Sequence, residues 1–238
     1  MTRPRALTLE DITDAGRNLG MADLSVAAVA GRLGVTPTAL YRHVANRWEL
    51  ERLVGESLLA DLRLDLEDSA ELEDALLRLA LGLHRFAIER PGLADYLLTL
   101  FPRGERGIAL MHEATQHLRT HGLRADTAVV VSNAVASLAF AMAAGQERRS
   151  TAVDQDPGGF AAEMRAATDR FDADLALGPT VDDLPSVTEA DFARMLLTVA
   201  VRGVVATIGS DPSATDAAAI VTALLRQVEG AETTTVRS

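Results

Sequence analysis

The stretch "VAAVAGRLGVTPTALYRHVANRWELERLV", residues 26–54, decides how this chain is read. It opens on apolar residues at helical spacing, Val26, Val29, Ala30 and Leu33, behind Ser25, whose hydroxyl suits a helix N-terminus. Gly34 follows, placed for a tight left-handed turn. Thr36 and Pro37 then start another helix: threonine accepts from a backbone N–H, and proline has none to lose at the first position. The spacing predicts a helix over 37–44, about two turns long, with Leu40 and Val44 turned inward. Thr38, Tyr41 and Arg42 then face outward, with Thr36 and Pro37 at the tip. Asn46 and Glu49 read as a capping-box pair, opening a helix with Leu50, Leu53, Val54 and Leu58 on one side. Helix, glycine turn, short helix is the spacing of a helix-turn-helix.

Working outward, Thr8 and Asp11 form a capping-box pattern before a helix with Ile12, Ala15 and Leu19 on one face, stopped by Gly20. Leu7 and Ile12 sit where a hydrophobic staple would. Residues 1–58 are therefore read as one helical unit. The 238-residue chain carries a net charge of -11, which by itself argues against nucleic acid. The charge is uneven, however: residues 1–60 hold seven arginines and seven acids, so the whole deficit lies beyond them. Between Asp23 and Glu49 there is no acid, only Arg32, Arg42 and Arg47. A local +3 is a modest electrostatic footprint on an acidic protein. All 23 strongly basic residues are arginine, so any cation a site needs is arginine or histidine. There is no cysteine, which excludes disulfides and thiolate metal centres.

Beyond residue 70 the pattern is helical throughout: 71–90 ended by Pro91, a short helix at 94–101, then 105–121 ended by Gly122. Residues 127–144 carry no charge and are expected to be buried on all sides, in a core or a subunit interface. Eighteen uncharged residues raise the membrane question, but alanine, serine, threonine and Asn133 would insert poorly. Helices at 191–209 and 213–229 follow, with loops expected at "STAVDQDPGG" (150–159) and "LGPTVDDLPS" (177–186). Residues 59–230 are assigned to a second helical domain and 231–238 to a flexible tail. With no apolar run behind the early arginines, no signal peptide is expected, and the protein is placed in the cytoplasm without membrane contact.

The joint occurrence of "LGV", the polar cap, "LYRHV" and a capped fourth helix resembles the tetracycline-repressor (TetR) family of transcription regulators, over roughly residues 5–58. Val44 and Arg47 stand where that family often has phenylalanine and lysine. The resemblance implies an all-α fold: an N-terminal helix-turn-helix DNA-binding domain and a C-terminal helical ligand-binding and dimerisation domain. It implies a homodimer on a palindromic double-stranded operator, released by a small-molecule inducer, and repression rather than activation. The alternative is a helix-turn-helix regulator controlled by a protein partner with no small-molecule ligand. Arg42 is the candidate base reader, because its fork pairs with guanine O6 and N7 together, and Thr38 can touch a thymine methyl. The resemblance implies that Tyr41, His43 and Arg47 hold phosphates. Ser25, Thr36 and Pro37 place hydroxyls or helix N-termini where anions bind, although capping alone explains Ser25 and Asn46 equally well.

For the ligand, Phe86, Met111, Gln116, His117, Asn133 and Phe140 combine apolar bulk with polar handles. Asn133, within an uncharged helix, is expected to be a buried, paired amide. The helices 127–144 and 191–209 are expected to form the dimer interface as a four-helix bundle. Glu113, His117 and His121 lie at i, i+4 and i+8 on one helix, and histidines at i, i+4 can bind metal. A metalloenzyme on this bundle would need a second ligand helix, which the sequence does not offer. The chain is therefore read as no enzyme, with neither cofactor nor metal assigned.

Overall fold

The structure, a computed structural model, describes residues 6–99, 101–173, 185, 187–209, 211–223 and 225. Among these every regular element is helical. Helices α1 (Leu9–Leu19), α2 (Val26–Leu33), α3 (Pro37–Leu40) and α4 (Arg47–Leu59) make the first unit. Thr8 and Asp11 form the reciprocal capping box, and Leu7 packs on the core. Ile12, Val29, Leu40, Val44, Leu50 and Val54 are fully enclosed where the four helices meet. A core this small rests on each side chain, since burying one aliphatic group contributes about 1.5–3 kcal/mol.

Three local expectations are corrected. The third helix is α-helical over Pro37–Leu40 and closes through a tight turn at 41–43, not a full helix to 44. The Arg42 and His43 N–H groups reach back three residues, to Ala39 and Leu40 carbonyls, while Val44 bonds Leu40 at 3.1 Å. Both inward anchors are nevertheless buried. The Asn46–Glu49 box is offset by one residue: Asn46 caps Glu49, but the Glu49 carboxylate accepts from Ala45 N–H at 2.6 Å. The loop expected at 150–159 is helix down to a single break. With no glycine or proline between Gly145 and Pro157, α8 (Ala125–Gln155) continues into it as far as Gln155. Asp156 then accepts from Gly159 N–H at 2.9 Å and starts α9 (Pro157–Asp172), a helix the sequence reading missed.

The second unit comprises α5 (Leu72–Ile88), α6 (Leu93–Thr99), α7 (Glu105–Thr120), α8, α9 and α10 (Glu189–Ile208), with a further helical turn pair at 217–223. The loop expected at 177–186, apart from Pro185, and the tail 231–238 lie outside the described residues. Helix α8 is long and apolar enough to cross a membrane. It packs centrally instead, against α5, α6, α7 and α10, and burial there accounts for its apolarity. Within the single chain its burial is one-sided: Val129, Asn133, Ser137 and Ala141 form an exposed stripe at four-residue spacing. Asn133 lies on that stripe, exposed within the single chain. Val131, Val135 and Phe140 face the core together with Ala128, Ala139, Ala143 and Ala144. On α10, Phe192, Met195 and Val199 line one exposed face, while Ala193, Leu197 and Val201 face inward.

Candidate nucleic-acid interface, interdomain seam and cavity

The tip of the first unit is built by local hydrogen bonds. Ser25 Oγ accepts from Ala28 N–H at 3.1 Å and Thr36 Oγ1 from Ala39 N–H at 3.2 Å. Each cap is worth about 1 kcal/mol to its helix, and each hydroxyl keeps its proton to donate outward. Gly34 closes α2 at φ 66°, a conformation that only glycine adopts without strain, and so aims Thr36 and α3 away from the body. Thr36, Pro37, Thr38, Tyr41 and Arg42 are exposed there, and His43 is half-buried beside them. Arg32 and Arg42 have no carboxylate partner among the described residues. Arg47 differs: its Nε donates to Glu51 Oε1 at 2.7 Å while the side chain stays 74% exposed. Glu51 is largely buried and also holds Arg103, so Arg47 is the solvent-facing member of the pair and the one free to turn to a phosphate.

Behind this tip, α4 meets the second unit through side chains distant in sequence. Glu56 accepts from Arg106 N–H at 2.6 Å and from Gly107 N–H at 3.3 Å, so a carboxylate on α4 caps the N-terminus of α7. In return the Arg106 guanidinium donates to the Leu59 and Leu62 carbonyls at the C-terminal end of α4, at 3.2 and 2.8 Å. Arg103 pairs with Glu51 Oε2 at 3.1 Å, both side chains largely buried, and lies over the rings of Tyr96 and Trp48. Trp48 thus packs on Arg103. Tyr96 has a buried hydroxyl without a hydrogen-bond partner among the described residues. Burial, with the Glu56 charge nearby, pushes its pKa up to about 12. Arg17 on α1 adds contacts to the Ser57 carbonyl and to Asp61.

Between α5, α7 and α8 lies an apolar cavity enclosing about 40 Å³. Leu79, Leu83, Leu110 and Phe101 wall it, and Ser132 and Asn133 give it a polar edge. Of the residues singled out from sequence, Met111, Asn133 and Phe140 line it. Phe86, Gln116 and His117 do not. Phe86 sits one turn further along α5 under the Arg90 guanidinium, 3.8 Å from its ring centre. Gln116 is exposed and accepts from Arg119 at 3.2 Å. His117 turns to Ser69, whose hydroxyl lies 2.8 Å from Nε2. Burial and the neighbouring His121 lower the His117 pKa, against the opposing charge of Glu67. Sequence reading missed Ser132 and the leucine walls, since nothing local separates a cavity wall from ordinary core.

No family model matches the chain, and no curated protein matches it. Solved structures do. Apo ActR from Streptomyces coelicolor is 21% identical, with 86% of this chain and 97% of that one covered and a TM-score of 0.69. The TetR family protein ActR in complex with actinorhodin gives 22%, 87%, 100% and 0.70. BioQ from Mycobacterium smegmatis gives 21%, 84%, 98% and 0.57. The chain therefore has the all-α fold of TetR family regulators.

Proposed function

We propose that this protein is a ligand-responsive transcription regulator, a repressor that binds a palindromic operator as a homodimer and leaves it when a small molecule occupies the second domain. The observation that carries this reading is the α3 tip: an exposed, acid-free surface with Arg42 unpaired, held out by Gly34 on a fold shared with TetR family regulators. Arg42 and Thr38 read base edges. Tyr41, His43, Arg47 and the capping hydroxyls of Ser25 and Thr36 hold phosphates, which fixes register. The exposed apolar face of α10 supports the dimer, with α8 offering only its small-residue stripe beside it.

The seam supplies a route between sites. Glu51 holds Arg47 with one oxygen and Arg103 with the other, so a phosphate that draws Arg47 away alters the pair that ties α4 to the connector between α6 and α7. A ligand that fills the cavity presses on α5 and α7, which wall it, and α7 is capped by Glu56 of α4. Ligand and DNA thus favour different placements of α4, and each is coupled to the other by that difference alone. Selection of bound DNA from a random pool tests the reading. Two half-sites about 34–36 Å apart on one face are expected; a pool without enrichment rejects it. Thermal-shift screening with lipophilic compounds tests the ligand, and silence across a diverse set would favour control by a protein partner.

A further inference from the structure

Outside the cavity and the tip, three polar atoms converge where the connector between α4 and α5 meets the last turn of α7. Ser69 Oγ lies 2.8 Å from His117 Nε2 and 3.4 Å from His121 Nε2, and the two Nε2 atoms are 3.3 Å apart. The Ser69 hydroxyl proton is directed to the Leu66 carbonyl at 2.7 Å, so the oxygen turns its lone pairs toward the two imidazoles. Two imidazole nitrogens facing each other this closely need something between them, a shared proton or a cation.

The distances favour a cation. In a tetrahedral site with bonds of about 2.0–2.1 Å, neighbouring ligand atoms lie about 3.4 Å apart. The two imidazoles already stand at that separation, and the hydroxyl completes a triangle with each corner about 1.8 Å from its centre. An ion about 2.0–2.1 Å from all three atoms therefore fits just above the triangle without moving any of them. Both histidines are half-exposed, which leaves water free to fill the fourth position. We propose that His117 and His121 ligate a divalent transition-metal ion of the zinc class, with Ser69 as the oxygen donor. Imidazole pairs select such ions over magnesium or calcium, which require oxygen cages.

The ion would tie two walls of the cavity together. The connector that carries Ser69 also supplies Leu62 and Leu64 to the cavity, and α7 supplies Leu110 and Ala114 from the other side. The site rests on the distances alone and is independent of whether the chain binds DNA. The test is calorimetric titration of chelator-stripped full-length protein with zinc chloride, followed by zinc-edge X-ray absorption on the loaded protein. One zinc per chain is expected, with two imidazoles and oxygen in the coordination sphere. His117→Ala and His121→Ala should each weaken binding at least tenfold, and Ser69→Ala by about tenfold. Melting curves of the metal-free variants establish that they fold; should His117→Ala fail, His121→Gln at the exposed end of α7 carries the test. No binding at micromolar zinc overturns the proposal. So does undiminished binding in the doubly substituted protein, which would place the metal on other histidines, or an absorption spectrum without imidazole.

Discussion

The tip of the first unit and the seam behind it both spend polar side chains, but over different distances along the chain. At the tip, Ser25, Thr36 and Asn46 each bond a backbone N–H three residues on. At the seam, Glu56, Arg103 and Arg106 reach partners 44 to 52 residues away. The tip is therefore self-supporting and leaves its remaining polar surface outward. The seam holds two units in one placement, and nothing in it faces a partner. Residues of similar chemistry serve contact in one place and geometry in the other, and substitutions should separate the two roles.

The largest effect is expected where the seam has no slack. Gly92, between α5 and α6, adopts φ 81° and donates its N–H to Glu147 at 2.7 Å. A Cβ there would lie 2.4 Å from the backbone nitrogen of Ala22, whose own N–H donates to Pro91. Gly92→Ala adds backbone strain to a clash that no side-chain rotation relieves, and should cost about 3 kcal/mol or more. Denaturant unfolding measures it. A loss below about 0.5 kcal/mol would mean that the α1–α2 loop is not held as described.

At the tip the prediction inverts. Arg42→Ala should leave stability within about 0.5 kcal/mol, yet relax discrimination at one base position by about 1–3 kcal/mol. Tyr41→Phe should weaken all sequences alike. Binding curves on a set of single-base operator variants distinguish them, and equal weakening by both would remove the base-reading role of Arg42. Glu56→Ala comes next: it uncaps α7 and should cost about 1–2 kcal/mol in thermal or denaturant melts. It should also reduce the change in DNA affinity that ligand produces, because α4 and α7 would no longer move together. Coupling unchanged in the variant would take Glu56 out of the route.

The same difference in distance explains what could be read from sequence. Thr8, Ser25, Thr36 and Asn46 were legible as caps because cap and partner lie within one turn. Leu40 and Val44 were legible as anchors by period, although the helix that bears them is shorter than the period suggested. Glu56, Arg103 and Arg106 were not, since no local pattern marks a bond that spans fifty residues. Polarity misled at 150–155, where a solvated helix reads like a loop. Of the cavity, Met111 and Phe140 were reached through their bulk, while Phe86 shows that bulk alone does not place a side chain at a wall.

The smallest effect at neutral pH belongs to Tyr96, and it probes what the seam tolerates. Its buried hydroxyl has no partner among the described residues, so Tyr96→Phe removes a desolvated group and should change stability by less than about 1 kcal/mol, toward greater stability. The ring that carries the cation contact with Arg103 is retained. The pH dependence makes the test specific. The folded pKa, raised to about 12 from the ordinary 10, means that the unfolded chain gives up this proton first. Between those values stability falls as pH rises, by up to about 3 kcal/mol, and the phenylalanine variant should lack that fall. The chain has no lysine and two tyrosines, the other being the exposed Tyr41, so few other side chains titrate in this window. Parallel alkaline profiles for the two proteins would show that the Tyr96 hydroxyl is solvated, and that the seam admits water beside Glu56.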